Sequence, residues 1–203
     1  MKNFTLKDRK QFLDDIKPKK GFDFKYIDRF NVEQLSEYLN TFDSEWKLNT
    51  SNQESYLSQK DSNSYFITEV FNSDQNDKPF INGVVTKDPE IIELVVIPII
   101  YELEKLVGGK YAKSLFAKLP ANKRIFPHYD QGGPLSTYMM LIRRFHVVIS
   151  TNDKVLFRIG NNTKHLKVGE CWEINQNMIH EVWNDGDSDR VHLIVDIFPY
   201  RWL

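Results

Sequence analysis

The stretch Phe126–Gly133, FPHYDQGG, sets a histidine and an aspartate two residues apart, at what reads as a strand end running into a turn. Alternate residues of a strand project to one face, so His128 and Asp130 could converge on one ion. Taken alone the pair is a common accident of strand ends, and Asp130 has the equally ordinary reading of a turn residue capping the bend toward Gly132. What changes the weight is the later segment MIHEVWNDGDSDRVHLIVDIFP. There His180 precedes a strand, and Arg190 follows ten residues on, at the head of an apolar strand. Two imidazoles and one carboxylate on one face of a metal leave coordination positions open, the arrangement associated with non-heme Fe(II). A 2-oxo acid could fill two of those positions and dioxygen the last. Arg190 would then take the acid's far carboxylate through paired N–H bonds.

Such a set needs a rigid β scaffold, and the second half of the chain reads as one. Strands are expected near 111–118, 123–128, 137–149, 153–159, 163–174, 180–184 and 190–198, with breaks at GNN (160–162), VGE (168–170) and NDGDSD (184–189). About seven short strands at that spacing predict a sandwich or small barrel. Up to about Gly109 the patterns are mostly helical. Val32, Leu35, Leu39 and Phe42 recur at helical spacing. In DPEIIELVVIPIIYELEKLVGG, Asp88 can cap, Pro89 suits the first helical position, and Gly108-Gly109 can end a helix that Pro98 is expected to kink. Between these helices SYFITEVF reads as a strand, and SDQNDKP (73–79) as a mobile loop.

Composition narrows the possible functions. The 203 residues are 41% hydrophobic and 27% charged, enough for one buried core, with a formal net charge of −1. No basic field argues for a nucleic-acid partner. The lone cysteine, Cys171, leaves no disulfide framework and points to a reducing compartment. The N-terminus lacks the apolar core of a signal peptide, and the run IIELVVIPII is shorter than the roughly 20 residues a bilayer span needs. The expectation is a cytoplasmic protein with no membrane partner. No phosphate loop, nucleophile elbow or zinc cysteine set is present.

From about Lys118 to Pro199 the pieces PHYD, RRFHVVI, LKVGECWEIN and HEVWNDGDSDRVHLIVD occur in order. In these motifs the chain resembles the aspartyl/asparaginyl β-hydroxylase-like family of Fe(II)/2-oxoglutarate-dependent oxygenases, over about two-fifths of its length. The resemblance implies a double-stranded β-helix core, jelly-roll or cupin-like, within a mainly β protein with flanking helices (α+β). The expected organisation is a single oxygenase domain over 1–203, with a mostly helical elaboration over 1–109 and the β-helix core over 110–199. It also implies Fe(II), 2-oxoglutarate and O2 as cofactors, and hydroxylation of an unactivated C–H bond with release of succinate and CO2. The substrate implied is an amino acid, free or as an Asp/Asn-type residue in a peptide or protein. His128 and His180 match the family's metal histidines, and Arg190 matches the arginine that pairs with the distal carboxylate of 2-oxoglutarate. Arg144 and His146 match an Arg-x-His strand that faces the co-substrate or the substrate's acid group. Asp130 stands where the animal protein hydroxylases have glycine, which places the chain nearer the small-substrate members. Ala117 aligns where the family has a co-substrate-binding hydroxyl, so another group must complete that contact.

Bland readings stand beside these. Arg144 and His146 could be a buried, satisfied polar pair, and Arg190 a solvent-facing residue after a charged turn. Arg143, on the opposite face from Arg144, is expected to be exposed. His192 shares a face with Arg190 and is either pocket-lining or a bonded core histidine. His165 reads as surface, Trp172 and Trp183 as core, and Cys171 as a small buried apolar residue. Trp46 lies outside the motifs, in a region where loops close over such barrels. Two rival functions remain: a non-catalytic cupin-like binding module, and a cupin-type isomerase or dioxygenase that uses no 2-oxo acid. A binding cavity has no use for three iron ligands, and an enzyme without a dicarboxylate has no use for Arg190.

Overall fold

The structure, a computed structural model, describes residues 21–41, 47–48, 65–67, 70–73, 79–82, 92–128, 130 and 142–199. Phe42, Trp46, Asp88, Pro89 and residues 74–78 lie outside them. The described strands are β1 (Phe24–Arg29), β2 (Lys47–Leu48), β3 (Tyr65–Ile67), β4 (Val70–Ser73), β5 (Pro79–Asn82), β6 (Gly109–Leu119), β7 (Lys123–His128), β8 (Arg143–Ser150), β9 (Val155–Ile159), β10 (Asn162–Lys164), β11 (Glu170–Ile174), β12 (His180–Asn184) and β13 (Arg190–Pro199). Two helices, α1 (Glu33–Asn40) and α2 (Ile97–Val107), accompany them, α2 continuing a π-helical turn at Ile92–Val96.

The strands form a seven-stranded sheet in the order β1-β11-β8-β13-β6-β3-β2, a four-stranded sheet in the order β10-β9-β12-β7, and the separate pair β4-β5. Non-sequential neighbours in two antiparallel sheets are what a double-stranded β-helix produces, so the mainly β expectation holds. SYFITEVF contributes to two strands, β3 and β4, in different sheets.

Period-2 alternation sorts the central strands into two faces. On β8, Phe145, Val147 and Ile149 join Val191, Leu193, Val195 and Ile197 of β13 in an outer cluster, covered by Leu35 and Leu39 of α1 and by Ile99, Ile100 and Leu103 of α2. Between the two sheets lies a second cluster: Leu119 and Val148 meet Val155, Phe157, Ile159 and Val182. The same inward face of β8 and β13 carries a buried polar stripe, Arg144, His146, Arg190, His192 and Asp196, beside the apolar Ile194. That stripe is where the fold places chemistry.

Several local features differ from expectation: β2 and β5 were not foreseen, and the strand expected over 163–174 is divided between β10 and β11. Pro98 lies in the first turn of α2, where its missing N–H costs nothing, and the irregularity falls in the π-helical turn before it. α2 then ends at Gly108 in the left-handed region (φ 64°), its N–H donating to the Glu104 carbonyl at 3.0 Å. β1 was not foreseen. Its burial follows no two-residue period, and it holds its edge place by pairing with β11 across a register shift between Tyr26 and Asp28.

Candidate active site

In the four-stranded sheet β7 and β12 are antiparallel neighbours, and their register sets His180 directly opposite His128. A cross-strand pair brings side chains together, and the two imidazole centroids are 4.3 Å apart. Asp130 lies just past the end of β7, where its backbone N–H donates to the Gln176 carbonyl at 3.1 Å, tying it to the turn that leads into β12. Its Oδ1 is 3.7 Å from His128 Nε2 and 3.9 Å from His180 Nε2. Small side-chain rotations would bring all three atoms to one ion at metal–ligand lengths of about 2.0–2.2 Å.

The imidazoles are oriented for that role. His128 Nδ1 lies 2.7 Å from the Phe126 carbonyl oxygen, and His180 Nδ1 lies 2.9 Å from that of Met178. A carbonyl only accepts, so each Nδ1 carries the proton and each Nε2 presents a lone pair to the shared space. Burial, only partly opposed by Asp130, lowers His180 to about 4. Burial alone would raise Asp130, but Arg144, then His180 and His128, outweigh it and hold the carboxyl at about 2. At neutral pH these two residues are already in the protonation states a metal takes.

Arg190 is 1% exposed. Its Nη2 donates to His192 Nδ1 at 2.7 Å, its Nε–H has no partner, and no carboxylate pairs with it among the described residues. Burial lowers it to about 9. Guanidinium always donates, so His192 Nδ1 must accept and its proton resides on Nε2. His146 Nδ1, 3.2 Å from that same nitrogen, must then be the donor. This leaves His146 Nε2 as a bare lone pair, buried and without a partner. Burial first, then the arginines Arg190 and Arg144, push His146 well below its ordinary value; burial and Arg190 do the same to His192. The Phe157 ring links the two ends of the cavity, 5.9 Å from the Arg190 guanidinium carbon and 6.0 Å from the His180 ring.

Arg144 is held by two carboxylates. Its Nε and Nη2 donate to Asp196 Oδ1 and Oδ2 at 2.8 and 2.7 Å, and its Nη1 pairs with Asp130 Oδ2. Arg144 is therefore already paired, as in the reading of a buried, satisfied polar residue, though its partners are carboxylates and not His146. Sequence reading missed Asp196. The available signal was its place on the same inward face as Arg190 and His192, an acid within the apolar run HLIVDIF. Arg143 is corrected as well: it is half-buried, forked onto Glu173 at 3.0 and 2.7 Å and donating to the Val107 carbonyl at 2.8 Å, because the face opposite the cavity is covered by helices. His192 is buried and bonded to Arg190 and His146, and His165, half-buried, is 2.9 Å from the Val155 carbonyl oxygen. Ala117 is buried opposite His192, with no hydroxyl to offer.

Three residues that could hold one metal ion therefore lie at one end, and a buried arginine without a carboxylate among the described residues at the other. An oxidoreductase of the 2OG-Fe(II) oxygenase family from Burkholderia pseudomallei superposes with a TM-score of 0.59 at 10% identity, covering 96% of this chain and 91% of that one. A prolyl hydroxylase from Trichoplax adhaerens, in complex with a hypoxia inducible factor oxygen degradation domain peptide fragment, gives 0.59 at 12% identity over 99% and 95%. A Pseudomonas putida prolyl-4-hydroxylase gives 0.54 at 10% over 91% and 96%. The aspartyl/asparaginyl beta-hydroxylase family profile matches residues 83–199, more than half of the chain, and the chain belongs to that family. It is a 2-oxoglutarate-dependent oxygenase, with Fe(II), 2-oxoglutarate and O2 as its cofactors.

Proposed function

We propose that the protein hydroxylates an unactivated C–H bond of an amino acid, free or as an Asp/Asn-type residue of a polypeptide. His128, Asp130 and His180 would hold the iron, and Arg190 would receive the far carboxylate of 2-oxoglutarate. The observation that carries this reading is Arg190, a buried arginine with an unpartnered Nε–H and no carboxylate among the described residues. A buried, uncompensated charge is costly, so such a residue is retained for an anion that arrives. When bound, the iron with its co-substrate and dioxygen supplies the oxidising power, and 2-oxoglutarate leaves as succinate and CO2.

The chain's own contribution is position. His128 and His180 each present one nitrogen. Asp130 presents Oδ1, and Phe157 with Leu119 and Val148 keeps water from the inner end of the cavity. Leu115, Ala117 and Ile194, a small apolar cluster beside the polar stripe, would carry the co-substrate's methylenes. In this reading residues 1–203 work as one oxygenase unit, with 110–199 carrying the site and the helices of the preceding part buttressing the larger sheet.

Asp130 favours a free amino acid, since the resemblance to small-substrate members rests on it. The fold also accommodates a peptide in the Trichoplax adhaerens protein, so the test must include both. Succinate release is measured from Fe(II)-loaded protein against a panel of free amino acids and Asp-, Asn- and Pro-containing peptides. One class should stimulate release well above the uncoupled rate, and His128→Ala should abolish it. Absence of both 2-oxoglutarate binding and turnover across the panel would overturn the reading.

A further inference from the structure

Arg144 carries more structure than a substrate anchor needs. It lies at the centre of the larger sheet, and its register partner on β13 is Asp196. Asp196 is 1% exposed and takes both Nε and Nη2, which fixes the guanidinium plane. The remaining arm, Nη1, reaches across the cavity to Asp130 Oδ2. Asp130 needs such a hold. It sits beyond the end of β7 rather than within a strand, so no ladder fixes its side chain. With Oδ2 taken by Arg144, Oδ1 is left facing His128 Nε2 and His180 Nε2. Two acids share one arginine, so the cluster also keeps one negative charge in excess where a cation is to bind.

We propose that Arg144, backed by Asp196, is a positioning clamp that presents Asp130 to the metal through one oxygen, and that it is not the receptor for a substrate acid. The proposal rests on the reading of His128, Asp130 and His180 as the metal site. Loss of a residue that orients a metal ligand weakens metal binding on the order of 10–100-fold. An arginine reserved for substrate would change KM and leave metal binding alone.

The test measures Co(II) affinity of metal-free protein by its visible absorption, without co-substrate or turnover. Wild type, Arg144→Lys, Asp196→Asn and His128→Ala are compared, each first shown to be folded by its thermal transition. Lysine keeps the charge but cannot fork onto Asp196 while reaching Asp130; Asp196→Asn keeps the shape and leaves Arg144 paired with Asp130, so it remains measurable if the lysine variant does not fold. Both are expected to bind Co(II) at least tenfold more weakly, with an altered absorption band. In an Asp130→Ala background, Arg144→Lys should then cost nothing further, because the clamp acts only through Asp130. Wild-type affinity in folded Arg144→Lys or Asp196→Asn, or an equal loss in the Asp130→Ala background, would overturn the clamp. Failure of the wild type to bind Co(II) more tightly than His128→Ala would instead overturn the metal site itself.

Discussion

Arg190, the proposed receptor for the co-substrate's far carboxylate, should weaken the fold that carries it. Its charge is buried beside two histidines that burial keeps neutral, with no carboxylate to offset it among the described residues. Arg190→Met removes that charge while filling the same space, so the ligand-free protein should gain about 1 kcal/mol or more in urea unfolding. The same variant should lose its response to 2-oxoglutarate. For wild type with Mn(II) in place of iron and no oxygen, co-substrate at about 100 times its Kd should add about 2.7 kcal/mol. For a chain of this length that raises Tm by roughly 5–10 °C. Arg190→Lys, which cannot present a planar fork, should weaken affinity about tenfold and remove about 1.4 kcal/mol of that gain. An undiminished shift in Arg190→Lys would mean that the dicarboxylate is anchored elsewhere.

At the scale of elements, the site was legible where chemistry and periodicity coincided and illegible where only tertiary contact decides. His128, Asp130, His180 and Arg190 could be singled out because their types and order are unusual on strands. That His128 faces His180 follows from the register of β7 and β12, which no local pattern encodes. The partner of Arg144 was hidden for the same reason: Asp196 is distant in sequence, and only the β8–β13 register joins them. β1 left no trace in the pattern because an edge strand with irregular burial has no period to read. Glycines carry a sharper message. A Cβ built on Gly109 would sit 2.3 Å from the Phe198 carbonyl oxygen and 2.6 Å from Ile197 Cγ2, so β6 could not meet β13 at its first residue. Gly109→Ala should cost about 1–3 kcal/mol in urea unfolding. Gly21→Ala, with nothing within 4 Å of the added atom, is the matched control and should stay within about 0.5 kcal/mol. Equal effects of the two would show that the β6–β13 approach is looser than the structure has it.

For the whole molecule, concentrating imidazoles inside a barrel ties stability to pH in a calculable direction. His146, His180 and His192 are buried, and burial lowers the proton affinity of each, His180 to about 4. The charged neighbours do not reverse this: Arg190 and Arg144 reinforce it at His146, Arg190 reinforces it at His192, and Asp130 opposes it only in part at His180. In the unfolded chain each would titrate near its ordinary value of about 6.5. Between that value and the folded one, the unfolded state holds protons that the native state does not. Stability therefore falls as pH falls through that window. Each such proton contributes about 1.4 kcal/mol per pH unit, so three give a limiting slope of roughly 4 kcal/mol per unit. Asp130 acts lower down: its carboxyl is depressed to about 2, so its stabilising contribution is lost only as pH falls below about 4. The expected outcome is a urea midpoint for the metal-free protein that is flat above about pH 7 and drops steeply between about pH 6 and 5. His192→Asn should reduce that slope by about one-third, because one of the three protons is gone. A midpoint unchanged from pH 7 to 5 would mean that the three imidazoles take up protons in the native barrel as readily as in the unfolded chain.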